Sequence, residues 1–155
     1  ERTFSAQWSG LTAHISNLDE AIQQLEYIAK PKDLSAIKDA PDGERARRFE
    51  AFWNKYDPTP GTPRNERMEE YYYRIAYANR RYSSGTPGWK TDRGHVLVRF
   101  GEPDRVEASP FSFDSEPWEV WYYYRIGSKF IFVDKTGFGD FELLRPIWDQ
   151  GNRIR

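Results

Sequence analysis

Trp118-Glu119-Val120-Trp121-Tyr122-Tyr123-Tyr124-Arg125-Ile126, then Gly127-Ser128, then Lys129-Phe130-Ile131-Phe132-Val133-Asp134, is the stretch that decides the fold. Two runs dense in aromatic and β-branched residues flank a short turn signal, which is the pattern of a β-hairpin. Beyond it, Lys135 to Gly139 reads as a second turn leading into a further strand over Asp140–Leu144. Before it, His95–Phe100 reads as a strand and Gly101-Glu102-Pro103-Asp104 as the turn that ends it. The expectation is an antiparallel meander of three to four strands over residues 95–145.

Upstream, the hydrophobic period changes from two to between three and four. Leu18, Ile22, Leu25 and Ile28 recur at helical spacing behind Asn17, a good cap, and Pro31 closes that helix at or before Lys30. A short helix follows at Asp33–Lys38. Asp42 caps the next helix, with Glu44 in its first turn and Ala46, Phe49, Trp53 and Tyr56 on one face. Asp57-Pro58-Thr59-Pro60-Gly61-Thr62-Pro63 excludes both helix and central strand. Thr62 or Asn65 caps a longer helix reaching about Tyr82. Met68, Tyr72, Ile75, Asn79 and Tyr82 form one stripe of it and Tyr73, Ala76 and Tyr77 a second, so both sides should be covered. The predicted class is α+β: three to four helices over 17–82, then the sheet, within a single domain of residues 17–146. Residues 1–16 form an N-terminal arm and 147–155 a C-terminal tail.

Composition narrows the chemistry. Lys and Arg total 23 against 24 Asp and Glu, so the chain carries a net charge of −1 and lacks the basic surplus of a dedicated nucleic-acid binder. The basic clusters Arg45, Arg47, Arg48 and Arg80, Arg81 read as solvated helix faces offset by Glu44, Glu50, Glu69 and Glu70. Cysteine is absent, which removes disulfides, thiolate catalysis and cysteine-ligated metals. No apolar run approaches a membrane span. The chain opens at Glu1 without Met or signal peptide, as expected of a processed form or of part of something longer. Six Trp, ten Tyr and ten Phe dominate the apolar content, so the core must be built from rings whose polar tips need partners.

Candidate chemistry is sparse. Trp89 follows Pro87-Gly88, a turn that drives an indole into the body as an anchor between helical and sheet halves. Thr91 and Asp92 suit loop or helix-start N–H groups, and Asp92 suits an arginine, Arg74 first. His14 and His95 are the only histidines. Asp92, His95, Glu102 and Asp104 fit no recognised triad or metal spacing. Gly137-Phe138-Gly139 lacks the helix and lysine of a phosphate loop and reads as a tight turn. No cofactor, metal site or catalytic residue is assigned.

Gly88-Trp89-Lys90-Thr91-Asp92 spells the motif that names the GWxTD domain family. Phe52-Trp53-Asn54-Lys55-Tyr56-Asp57-Pro58-Thr59-Pro60-Gly61-Thr62-Pro63-Arg64-Asn65-Glu66 resembles its other signature stretch. Arg74-Ile75-Ala76-Tyr77-Ala78-Asn79, Arg93-Gly94, Phe100-Gly101-Glu102-Pro103-Asp104, Trp121-Tyr122-Tyr123, Phe132-Val133-Asp134 and Gly137-Phe138-Gly139-Asp140 extend the resemblance over roughly Leu25–Leu144. Trp53, Asp57, Asn65, Arg74, Asn79, Gly88, Trp89, Thr91, Asp92, Gly94, Gly101, Pro103, Trp121, Gly137 and Gly139 are then signature residues with structural roles. Tyr56 departs from the basic residue that relatives often place there. A shorter likeness, Gly101-x-Pro103-Asp104 with a Trp-Tyr strand and Phe130-Ile131-Phe132, is similar to small outer-membrane assembly lipoproteins of the SmpA/OmlA type.

The resemblance implies a bacterial protein of the periplasmic or extracytoplasmic envelope, with no catalytic activity to carry over. The expected role is a structural or protein-interaction module, an accessory subunit of a larger assembly. Its partners would be other envelope proteins or a membrane complex, not nucleic acid. Phe4, Trp8, Trp118, Tyr122 and Tyr124 are the candidate interaction residues. Two alternatives stand beside it: a glycan or small-ligand domain using the rings of residues 118–124, and a hydrolase using Asp92 with His95 or Glu102.

Overall fold

The computed structural model describes residues 17–109 and 114–154. Phe4, Trp8, His14 and the expected N-terminal arm lie outside the described residues. The chain is α+β. Among the described residues, five α-helices, α1 (Leu18–Gln23), α2 (Pro31–Lys38), α3 (Asp42–Asn54), α4 (Glu66–Tyr82) and α5 (Asp92–Phe100), precede four strands. These are β1 (Arg105–Ser109), β2 (Trp118–Tyr123), β3 (Ser128–Asp134) and β4 (Phe141–Leu143), forming one antiparallel sheet in the order β1-β2-β3-β4. The residues group into two compact units, one up to Ala76 and one from Tyr77 onward.

In the first unit, local polar groups set the helix starts. The Asn17 carboxamide accepts the Glu20 N–H at 2.7 Å and caps α1, which tightens into a 3-10 turn at Gln24–Tyr27. Pro31 opens α2 two residues before the expected start, because the first helical position needs no N–H. Asp42 lies one position inside α3 rather than capping it; Pro41 occupies the cap, and the Asp42 carboxylate pairs with Arg45. Of the two cap candidates for α4, Asn65 takes the role. Its Oδ1 accepts the Met68 N–H at 3.1 Å and its Nδ2 donates to the Trp53 carbonyl at 2.8 Å.

Rings fill the centre of this unit. Trp53 sits 5.4 Å from Tyr71 and 5.7 Å from Tyr72, with Phe49 against Tyr72 at 6.2 Å. The phenols reach past these rings to the carbonyls of α1 and its 3-10 turn: Tyr72 donates to Ala21 at 2.7 Å, and Tyr71 donates to Gln24. Met68, Tyr71, Tyr72, Ile75 and Ala78 are the buried stripe of α4. In the second stripe Tyr73 is 45% exposed while Ala76 and Tyr77 are half-buried, so it is covered only in part. Tyr77, the first residue of the second unit, meets the guanidiniums of Arg80 and Arg81.

In the second unit the register divides the sheet cleanly. Val106 pairs with Trp121, Trp121 with Phe130, and Phe132 with Leu143. Trp121, Tyr123, Phe130 and Phe132 are buried on one face, and Trp118, Val120, Tyr122, Ile131 and Val133 lie half-buried on the other. The C-terminal segment bridges Arg153 to Ser128, and Ile154 donates to Gly127 at 2.9 Å.

Residues 95–100 correct the sequence reading. They are the body of helix α5, not a strand, and the sheet begins at Arg105. Val96, Leu97 and Val98 favour strands only weakly against context. The Thr91 hydroxyl caps the segment by accepting the Gly94 N–H at 3.1 Å, and Gly101 at φ 81° stops it. β1 had no sequence signal because it is an edge strand with mostly exposed side chains. The hairpin turn is also longer than read. Tyr123 pairs with Ser128, so residues 124–127 form the loop, with Gly127 left-handed at φ 61°.

Candidate functional site

The densest group of signature residues lies between the end of α4 and the start of α5. Asn79 Oδ1 accepts the Trp89 N–H at 3.0 Å, and the Ser83 hydroxyl accepts the Gly88 N–H at 2.8 Å while donating to the Asn79 carbonyl. Thr91 donates to the Gly88 carbonyl at 2.7 Å. Two glycines allow the backbones to touch: a Cβ at Gly88 would stand 1.9 Å from the Ala78 oxygen, and one at Gly94 would stand 1.8 Å from the Gly88 oxygen. Trp89 is buried beside them. Gly88 to Thr91 thus join the end of α4 to the start of α5, and the motif's last residue, Asp92, reaches the sheet.

Asp92 and Arg93 then fix α5 to the sheet. Asp92 Oδ2 accepts the Leu143 N–H at 2.6 Å, in place of the expected arginine; Arg74 pairs with Glu70 at 2.9 Å. Arg93 is held between the faces of Tyr82 and Phe141, at 4.6 and 4.1 Å from the ring centres. Its guanidinium pairs with Glu119 at 3.2 Å and donates to the Gly139 carbonyl at 3.3 Å. The other Glu119 oxygen accepts the Trp121 indole N–H at 3.0 Å. Tyr123 donates to the Gly101 carbonyl at 2.8 Å, tying the end of α5 to β2.

The glycine turn after β3 is organised by a buried carboxylate. Asp134 accepts N–H groups from Gly137 at 3.0 Å and Gly139 at 2.8 Å, and the Thr136 hydroxyl at 3.1 Å. Burial pushes its pKa up, yet the bonds from Gly139, Thr136 and Gly137 together prevail and hold it below the ordinary carboxylate value. Gly137 and Gly139 adopt φ 75° and 88°, as expected of a tight turn. Phe138 between them is 90% exposed.

Of the residues in the hydrolase alternative, Asp92 and His95 lie on α5 and Glu102 lies two residues beyond its end. His95 stands one helical turn after Asp92, and burial, then Arg99, lower its pKa to about 4 against the opposing pull of Asp92. The ring is thus neutral at ordinary pH. Asp92 is engaged by Leu143, and among the described residues no cluster of three metal-ligating side chains forms.

An open groove of about 640 Å³ is lined by Arg80, Arg81, Tyr82, Arg93, Glu102, Val106 and Trp121 among others. Asp92 and His95 are not among its lining residues. Arg80 and Arg81 have no carboxylate partner among the described residues, so Glu69 and Glu70 do not offset them; those acids pair with Arg64 and Arg74.

Of the other residues singled out from sequence, Trp53 and Trp121 are buried, and Asp57 accepts the Thr59 N–H at 2.9 Å within the proline turn. Pro103 lines the groove. Tyr122 and Tyr124 stack at 5.9 Å, with Arg105 over Tyr122 at 5.6 Å; Trp118 is half-buried. Sequence reasoning missed Arg93, Glu119 and Asp134. Asp134 carried a signal, a short carboxylate ahead of Thr136-Gly137-x-Gly139. Arg93 was marked only as part of the family resemblance and Glu119 not at all, and their pairing could not be read because it spans 26 residues.

The GWxTD domain family model matches residues 12–145. Neither the curated proteins nor the solved structures contain a significant match.

Proposed function

The chain belongs to the GWxTD domain family, and from that premise we propose that it is a non-catalytic interaction module of the bacterial cell envelope, an accessory subunit of a larger assembly. One observation carries this reading. The hallmark side chains are consumed by internal fastening, while Phe138 and Trp148 stand 90% and 84% exposed. Large rings held in water by a hydrogen-bonded turn are the anchors that protein interfaces favour. No helix among the described residues is long and apolar enough to cross a membrane.

The glycan reading is less favoured. Trp121 and Tyr123 are buried, and the faces of Tyr122 and Tyr124 are turned toward each other. The test is affinity purification of the tagged chain from a native envelope fraction under mild conditions. A partner in fixed ratio, lost from a Phe138→Ser, Trp148→Ser double variant that remains folded, is the expected result. Recovery of the chain alone would refute the proposal.

A further inference from the structure

We infer that the groove beside β1 is the docking site for an extended acidic segment of a partner protein, which adds to the open edge of β1 and sets its carboxylates on Arg80 and Arg81. The inference rests on the interaction-module reading and gives that module a recognition chemistry.

Three independent features point to this occupant. The first is incomplete layering. Val106 shares a sheet face with Trp121 by register, yet Val106 is 49% exposed where Trp121 is 2% exposed. Ala108, on the same face, is exposed as well. The last turn of α4 and helix α5 thus cover the central strands and stop short of β1, leaving an apolar ledge.

The second is the edge itself. Among the described residues β1 pairs with β2 alone, so residues 105–108 keep a row of backbone donors and acceptors open on the far side. Such an edge is a template for one more strand, in which main-chain bonds supply affinity and alternate side chains supply selectivity. No proline or inward-pointing charge guards the strand, Arg105-Val106-Glu107-Ala108-Ser109.

The third is charge. Three arginines and two glutamates, Glu102 and Glu119, line the groove of a chain whose net charge is −1, so its sign is opposite to that of the whole molecule. Glu119 already answers Arg93, which leaves Arg80 and Arg81 against Glu102. Tyr77 lies 6.0 and 5.9 Å from these two guanidiniums and steadies them at one end. Glu102 repels carboxylates at the β1 end. The fitting segment is therefore acidic at one end and small or branched where it passes Val106. A nucleic acid would bring phosphates along its whole length against Glu102, which makes it the poorer match.

The test uses the full isotope-labelled chain and three probes: a terminally blocked octapeptide of alternating valine and glutamate, its valine–lysine counterpart, and a single-stranded oligothymidylate. Expected are amide shifts over Arg105–Ala108 and at the Trp121 indole with the glutamate peptide alone. Its affinity should weaken at least about tenfold in Arg80→Gln, Arg81→Gln, a surface change that leaves the melting temperature close to the parent's. Equal binding of the lysine peptide or the oligothymidylate, indifference to the double variant, shifts confined to other surfaces, or no binding by any probe would each overturn the inference. The same double variant separates the two proposals. If it still retains a partner from the envelope fraction, the groove is not the docking site while the module reading stands. If the parent retains no partner, that reading falls and the peptide titration alone decides the groove.

Discussion

At the scale of single residues, the structure assigns costs to positions that otherwise read only as punctuation. Gly88 and Gly94 are glycines because their Cβ positions are taken by backbone oxygens, which cannot move aside as a flexible side chain can. Gly88→Ala or Gly94→Ala should destabilise by about 3 kcal/mol or more, read as a drop in the urea midpoint without a change in slope. Asp134 has a different consequence. Its pKa is lower in the folded chain than in the unfolded one, so its stabilising effect is complete above the ordinary value of 3.8 and is lost as pH falls through the lower folded value. Asp134→Asn should cost about 1–3 kcal/mol near neutrality, and the gap from the parent should narrow toward about pH 2. A gap independent of pH would show that the turn does not depend on the charge.

At the scale of elements, α5 is held from both ends and by one side. Thr91→Ala removes the cap and should cost about 1 kcal/mol, a fall of about 2–4 °C in melting temperature; Thr91→Ser should recover most of it. His95 lends the same helix a pH dependence. Its folded pKa of about 4 lies below its ordinary 6.5, so the unfolded chain binds the proton first as pH falls. Stability from the neutral ring is full above 6.5 and is lost progressively down to about 4. For a half-buried ring the total is about 1–2 kcal/mol after solvent screening. The difference between parent and His95→Gln in denaturant midpoint should shrink across that window, and a constant difference would contradict the assignment. The Arg93 clamp joins α4, α5 and β4 in one stack, so Arg93→Lys, which keeps the charge but loses the planar group, should still destabilise by about 1–2 kcal/mol.

At the scale of the whole molecule, the distribution of polar groups matters more than their number. Arg45 and Arg48 are answered by Asp19, Asp42 and Glu44, whereas Arg80 and Arg81 are not answered among the described residues. The same contrast holds for rings: Trp53, Trp89 and Trp121 are buried, while Trp148 is exposed. Trp148→Ala should leave the melting temperature within about 2 °C of the parent's, since an exposed side chain contributes within about 0.5 kcal/mol to folding. A larger fall would show that Trp148 packs within the chain and does not serve as an anchor.

The α+β class, the positions of α1 to α4, the paired strands β2 and β3, and the structural roles of Asn17, Asn65, Thr91 and Gly137 were legible in the chain. Each depends on interactions within a few residues: a cap, a proline, or an alternation along one strand. What the sequence could not decide were the groups that the fold brings together from afar. Val96, Leu97 and Val98 form a short continuous apolar run that suits a buried strand as well as a helix, and the Thr91 cap with the Gly88–Gly94 contact resolves the ambiguity toward a helix. Local patterning thus determined the elements, because their hydrogen bonds are short-range. Only the tertiary structure decided the Arg93–Glu119 clamp and, among the described residues, the single neighbour of β1 and the arginines without a carboxylate, because burial and charge pairing are properties of neighbours in space.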